Sequence, residues 1–246
     1  MTGDHLPTVS VVIPARDDAV ALADCLACLS VQTVEPWEVV VVDNGSTDAT
    51  AAVAAAWGAR VVVEPRIGIP AAASTGYDSA RGEVIARLDA DSRPDRQWVE
   101  RIASRMSQDP DLDAMTGSGH FVDLPRLVSG AASGAYLGAY YVLAHLALGH
   151  TTLWGSSMAM RRRSWLAVRS QVRRDDPEVH DDLDLAFALG PARRIRYDPH
   201  LRVGVSARSL RGHAQRVRRF DRAWRTLRLN WRGRPPWRRW GARLAR

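Results

Sequence analysis

Between Val9 and Leu88, short β-branched runs alternate with stretches of helical apolar spacing, and this alternation constrains the fold more than any other feature of the chain. Val9 to Ile13, Val39 to Val42, Arg60 to Val63 and Val84 to Leu88 read as strands; Ala19 to Leu29, Ala49 to Trp57 and Ala71 to Ala80 read as helices. Strands that alternate with helices assemble βαβ units, so an α/β fold with a mainly parallel central sheet flanked by helices is expected. Ligands of such sheets bind beyond the carboxyl ends of the strands. Polar or acidic clusters stand at three such ends, after Pro14, at Asp43-Asn44-Gly45-Ser46-Thr47-Asp48 and at Asp89-Ala90-Asp91.

The length of 246 residues suits one large domain with a short appendage, and 46% hydrophobic with 25% charged residues excludes a disordered chain. Cys25 and Cys28 match a Cys-x-x-Cys spacing but fall on an amphipathic helix, where small apolar thiols are ordinary core residues. Without an apolar leader or a disulfide framework, a cytoplasmic location is expected. Ser129 to Gly149 is nearly uncharged, yet Gly, Ser, Tyr and His145 dilute it. It reads as a helix packed on the sheet or lying on a membrane surface, not as a membrane span.

The net charge is +7 and every basic residue counted with Lys is an Arg. A lineage bias toward Arg would spread this charge, whereas a phosphate-binding role would concentrate it. It is concentrated: from Arg208 to Arg246, 14 of 39 residues are Arg, four are Trp and Asp221 is the only acid. Val217, Phe220, Trp224, Leu227 and Trp231 recur at helical spacing, with most of the Arg side chains elsewhere. This predicts a basic amphipathic helix that packs on the domain or lies on an anionic membrane surface, the inner face of the membrane being the expected one; nucleic acid is a poorer fit. The chain thus divides into a domain over 1–207, with halves 8–115 and 116–207, and an extension over 208–246.

Two acidic constellations carry chemistry. A strand that ends in Asp89-Ala90-Asp91 supplies hard carboxylate oxygens for a divalent cation while leaving room for phosphate and water. His180-Asp181-Asp182-Leu183-Asp184-Leu185 opens a helix, where an acid can cap the N-terminus or serve as a general base for a hydroxyl.

Taken in order, Val9 to Asp18, Val40 to Asp48 and Gly82 to Asp91 resemble the three consecutive blocks of the family 2 inverting glycosyltransferases of GT-A (Rossmann-like) fold. Gly155 to Arg162 and Asp181 to Leu185 are similar to that family's acceptor-side segment and its Glu-Asp-x-Asp-Leu motif. The resemblance covers roughly residues 8 to 205. It implies that Pro14, Ala15, Arg16 and Asp18 border a nucleoside pocket and that Asp43 hydrogen-bonds the base. It further implies that Asp89 and Ala90 lie against the donor, with Asp91 the direct ligand of Mn²⁺ or Mg²⁺ and Asp89 reaching the ion through water. Asp182 becomes the catalytic base, and Trp154, Gly155, Ser156 and Asp181 lie on the acceptor side.

The chain departs from the family pattern in several places. Asp17 and Asp18 stand where Asn and Glu are usual, Asp181 replaces Glu, and Ala72-Ala73-Ser74-Thr75-Gly76 lacks the usual Arg and Asn. Arg66 is the candidate substitute donor-binding cation. Where relatives place a His near the diphosphate, this chain offers Arg208 or His213, the latter as a further metal ligand. The resemblance implies an enzyme that moves a sugar from a nucleoside-diphosphate sugar, UDP favoured and GDP allowed, to an acceptor hydroxyl that is lipid-linked or membrane-proximal. A nucleotidyltransferase is the alternative, but Pro14 to Asp18 lacks a glycine-rich phosphate loop. A non-catalytic binding protein of the same fold is the other.

Overall fold

Alternate residues of strand β1 (Val9–Ala15) bury on opposite sides of the sheet. Val9, Val11, Ile13 and Ala15 join one apolar cluster with Leu22, Cys25, Leu26, Trp98, Ile102 and Met106. Val12 joins the other, with Tyr77, Ile85, Leu153, Trp165 and Phe187. A period of two with both faces buried is what a strand inside a helix-covered sheet requires. Each fully buried Val, Leu or Ile contributes about 1.5–3 kcal/mol of transfer free energy. The computed structural model describes residues 6–206 and 213–244.

After β1 come α1 (Ala19–Leu29), β2 (Glu38–Asp43), α2 (Thr50–Ala56), β3 (Arg60–Val63), α3 (Ile69–Ser79) and β4 (Val84–Arg87). Strand β5 (Arg93–Pro94), α4 (Trp98–Gln108), β6 (Leu112–Phe121), α5 (Arg126–Leu148), β7 (Met158–Arg161), α6 (Arg162–Val168), α7 (Asp181–Leu189) and β8 (Arg194–Val205) follow. Among the described residues the strands form one eight-stranded sheet in the order β3-β2-β1-β4-β7-β6-β8-β5. The pairs β1 with β2, β1 with β4, β2 with β3 and β6 with β8 are parallel; β7 runs antiparallel to β4 and β6, and β5 to β8. The sheet is therefore mainly parallel, as the alternation of elements predicts.

Pro14 does not end β1. It lies in register with Val42, and Ala15 with Asp43, whereas the pairing of β1 with β4 stops at Val12. Beyond Val12 the β4 side of the strand has no ladder for a proline to interrupt. Cys25 is buried and both cysteines are free thiols, in keeping with their reading as core residues. No helix among the described residues is long and apolar enough to cross a membrane.

Two C-terminal helices, α8 (His213–Trp231) and α9 (Pro236–Leu244), pack back on the sheet domain. The apolar stripe expected on α8 is split between two environments. Leu227 and Trp231 join the α7 side of the core, while Val217, Phe220 and Trp224 stay exposed at 44%, 70% and 47%. Docking instead uses a polar face. Thr226 is fully buried and its hydroxyl oxygen accepts the His180 N–H at 2.8 Å, and the Asn230 amide donates to Asp184 at 2.8 Å. Hydroxyl and amide groups of this helix satisfy the exposed start of α7, which apolar side chains could not do.

Candidate active site

The site forms where β4 ends. Leu88 N–H still bonds to Val12 O, and the turn then closes through Ser92 N–H to Asp89 O at 3.0 Å and Asp89 N–H to Ser92 Oγ at 3.2 Å. Asp89 and Asp91 leave this turn toward different cavities. Asp91 lines one of about 350 Å³ together with Asp18, Asp24, Asp123 and Arg93. Asp89 lines another of about 180 Å³ with Asp181, Asp182, Trp154, Gly155 and Ser156. A larger groove of about 680 Å³ runs along α5, lined by Leu137, Tyr141, Leu146 and Tyr197, and holds none of these carboxylates.

The loop before β7 links the two acidic motifs. Ser156 Oγ donates to Asp89 at 2.6 Å and Gly155 N–H donates to Asp182 at 2.8 Å. Arg87, the last residue of β4, adds a second link: it is 3% exposed and pairs with Asp89 at 3.1 Å and with Asp181. Gly155 is required there, because a Cβ on it would stand 2.8 Å from the Arg87 guanidinium carbon. Trp154 fits as tightly from behind, since a Cβ on Gly119 of β6 would meet its indole edge at 2.4 Å.

Asp182 is 4% exposed, and its second oxygen accepts from His180 Nδ1 at 2.5 Å and from the Leu183 N–H at 2.7 Å. Burial alone raises a carboxyl, but the charge and hydrogen bond of His180, with Arg87 and the Gly155 N–H, outweigh it and hold Asp182 at about 2. Burial lowers His180 in turn, yet Asp182 beside it lifts the imidazole above its usual range. Burial pushes the Asp181 carboxyl up, against the pull of Arg87. One helix start thus carries two adjacent acids that differ in ease of ionisation, a pattern that clusters at functional sites.

On the nucleoside side, Asp43 is buried and accepts the Ser46 N–H at 3.1 Å. Asp17, at φ 49°, accepts from the Thr47 N–H at 2.7 Å and from its hydroxyl at 3.0 Å, so the ends of β1 and β2 are tied together. Those bonds lower the Asp17 carboxyl. Ala15 is buried beside Asp43 in the ladder, Arg16 is half exposed next to Asp17, and Ala90 is buried in the turn.

Arg66 lines neither carboxylate cavity; its fork is taken by Glu64 at 3.0 Å and Asp175 at 2.5 Å. Arg208 lies outside the described residues, and His213 is described only as the start of α8. The third acid of the α7 motif, Asp184, points into an anchor formed by Arg173 and Asn230. Several residues assigned no role from sequence line the Asp89 cavity, among them Arg87, Tyr136, Tyr140, His180, Arg219 and Arg222. His180 was legible as the residue preceding an acid pair at a helix start. Arg219 and Arg222 were not, because their places depend on how α8 folds back.

A mainly parallel sheet whose fourth strand delivers an Asp-x-Asp turn toward an acidic helix start defines a GT-A glycosyltransferase domain. The chain belongs to glycosyl transferase family 2, whose family model matches residues 10–168. It is similar to the glycosyltransferase AglE of Haloferax volcanii, 36% identical over 110 residues that make up 42% of this chain and 36% of that one. It is also similar to a dodecaprenyl-phosphate galacturonate synthase of Rhizobium johnstonii, 30% identical over 119 residues, 44% of this chain and 35% of that one. The chain spans between about a third and a half of the length of such curated relatives. Among solved structures, the mannosyltransferase PcManGT of Pyrobaculum calidifontis, in complex with GDP-Man and Mn²⁺, shares the fold with a TM-score of 0.67 at 24% identity, over 87% of this chain and 61% of that one.

Proposed function

We propose that this chain transfers a sugar, with inversion, from a nucleoside-diphosphate sugar to an acceptor hydroxyl, aided by Mn²⁺ or Mg²⁺. The observation that carries this reading is a pair of cavities at one turn: Asp91 faces one among acidic groups, and Asp89 faces the other together with Asp182 and the Gly155-Ser156 turn.

The donor chemistry of the first cavity fits such an ion, because its described lining offers carboxylate and hydroxyl oxygens, no thiolate or imidazole, and one guanidinium, Arg93, that is paired with Asp24. Asp91 would hold the ion, with Asp89 assisting from the turn; a bound ion neutralises charge on the diphosphate. His180, Asp181 and Asp182 also bring one atom each within 4.8 Å of the others. These residues are already engaged in the His180–Asp182 and Arg87–Asp181 bonds.

Within the second cavity, the peptide N–H of Gly155 and the imidazole of His180 orient the Asp182 carboxylate from two sides. Asp182 accepts the proton of the acceptor hydroxyl as the acceptor oxygen attacks the anomeric carbon and the bond to the nucleoside diphosphate breaks on the opposite face, releasing the diphosphate as leaving group. GDP-Man and Mn²⁺ in the mannosyltransferase, and UDP and Mn²⁺ in a glucosyl-3-phosphoglycerate synthase of Mycobacterium tuberculosis, support this class of donor. Incubating the protein with Mn²⁺ or Mg²⁺ and a panel of UDP-, GDP- and TDP-sugars tests it directly. At least one sugar nucleotide should stabilise the fold, by about 2.7 kcal/mol at a hundredfold excess over Kd, and Asp91→Ala should remove that response. Silence from the folded wild-type protein across the whole panel would sink the reading.

The same reading places the enzyme at an anionic membrane surface. Phe220 and Trp224 of α8, Trp237 of α9 and Val142, Leu143 and Leu146 of α5 are all exposed, beside Arg-rich helices. Phe220→Ser with Trp224→Ser should weaken binding to anionic vesicles in a flotation assay by about tenfold or more without changing the melting temperature. Equal binding by this variant would assign the exposed stripe no lipid role.

A further inference from the structure

We propose that Arg219 and Arg222 form a subsite for a phosphate monoester on the acceptor, so that the Asp182 cavity selects phosphorylated molecules. The proposal rests on the transferase reading only for the word acceptor; the anion site itself stands on the geometry of α8.

That helix is fixed where it crosses the cavity. Thr226 holds the His180 N–H at 2.8 Å, Asn230 holds Asp184 at 2.8 Å and Arg225 pairs with Asp176 at 2.8 Å. One turn before Thr226, Arg222 and Arg219 lie three residues apart and reach the cavity that also holds Asp89, His180 and Asp182. Residues so spaced share a helix face.

Neither of these two cations is in contact with an acid of the cavity. Arg87 is matched by Asp89 and Asp181, and His180 by Asp182. Arg219 donates to the Tyr136 hydroxyl at 3.1 Å and has no carboxylate within 4.0 Å among the described residues. Arg222 donates to the Pro177 carbonyl, and its only described carboxylate is Glu178, at the outer limit of 4.0 Å. It is the Nε–H that lies at that distance from Glu178; it is buried and has no hydrogen-bond partner among the described residues, and the side chain as a whole is 21% exposed.

Chemistry narrows the ligand. Two guanidinium forks on one helix face match a planar or tetrahedral oxyanion through paired N–H groups. A phosphate monoester carries about −1.5 to −2 at neutral pH and offers three acceptor oxygens, enough for both forks, whereas one carboxylate neutralises only one. The donor diphosphate is the less suitable occupant, because both residues line the Asp182 cavity and neither lines the Asp91 cavity. A lipid phosphate monoester and a small soluble one share this head group, and either must also carry the hydroxyl that receives the sugar.

The test compares wild type with Arg219→Gln, Arg222→Gln and the double variant. Arg219 makes a single described hydrogen bond at an exposed position, so its variant should fold even if the others do not. Calorimetric titration with inorganic phosphate is expected to show saturable binding to wild type, weakened about tenfold or more by either change. Titration with UDP and GDP in Mn²⁺ should be unaltered by all three. With the active donor, transfer is expected to a lysophosphatidic acid in detergent micelles or to glycerol phosphate in solution, each of which carries a free hydroxyl beside its phosphate monoester, and the arm that works names the source. The variants should raise KM for that acceptor far more than they lower kcat, and Arg222→Lys should restore part of it. Absence of saturable phosphate binding, equal transfer to the dephosphorylated acceptors, or loss of nucleotide affinity in the variants would each overturn the proposal. Phosphate binding by a protein that binds no sugar nucleotide would instead leave the subsite standing and remove the transferase reading.

Discussion

Asp182→Asn should lower sugar transfer by about 10²–10⁴-fold while leaving nucleotide binding within a factor of about two. The amide keeps the shape of the side chain and can still accept the Gly155 N–H, but it cannot take a proton. Comparable loss of nucleotide affinity would make Asp182 a donor-binding residue. The change also removes a charge pair, and the pH signs follow from the two partners. Asp182 is held at about 2, so its contribution to stability is present above the ordinary carboxylate range and lost only as pH falls through about 2. His180 is raised, so its contribution is complete below its usual value of 6.5 and fades as pH rises through the folded one. Melting temperature should therefore decline from pH 6 toward alkaline pH in wild type more than in Asp182→Asn. Parallel curves would show that the His180–Asp182 pair does not form in solution.

Arg87→Met should cost about 3–5 kcal/mol of stability, seen as a fall of roughly 10 °C in melting temperature for a chain of this size. The cause is not the worth of the ion pair, which buried pairs seldom show against apolar replacements. It is that Asp181, 16% exposed, and Asp89 lose the cation that faces them both. Arg87→Met combined with Asp181→Asn should recover most of the loss, because the stranded charge is then gone. A single variant as stable as wild type would mean that Arg87 is not buried between these carboxylates. Arg87→Lys is not expected to rescue, since one ammonium cannot reproduce a fork that serves two acids and the Tyr77 hydroxyl.

Most of the donor half was legible in the sequence because local rules govern it. β-branched runs such as Val39 to Val42 can be read one residue at a time, and a polar cluster after a strand falls at the ligand end of a parallel sheet. The acidic motif of α7 was legible for the same reason. What could not be read was long-range. Arg66 was read as a donor-binding cation, but Glu64 two positions away and Asp175 109 positions away share its fork, and the second of these could not be read from the sequence. The apolar stripe of α8 suggested one buried face, yet Thr226 and Asn230 dock the helix through hydrogen bonds that no hydrophobic periodicity reports. Arg87 was hidden inside a strand, where a charged residue becomes meaningful only once Asp181 is known to face it.

The contact between Gly119 and Trp154 gives the domain a dimension that can be set from outside its chemistry. The indole forms part of the wall of the Asp182 cavity, and its far edge rests on a backbone position that has no side chain. With 2.4 Å available where a Cβ would stand, Gly119→Ala must move the ring or the strand, and a crystal structure of the variant would give the direction. Under the proposed transferase reading, the width of the acceptor entrance is gauged by one absent methyl group on β6, and acceptor range can be retuned there without altering a single group that handles a proton, a phosphate or a metal.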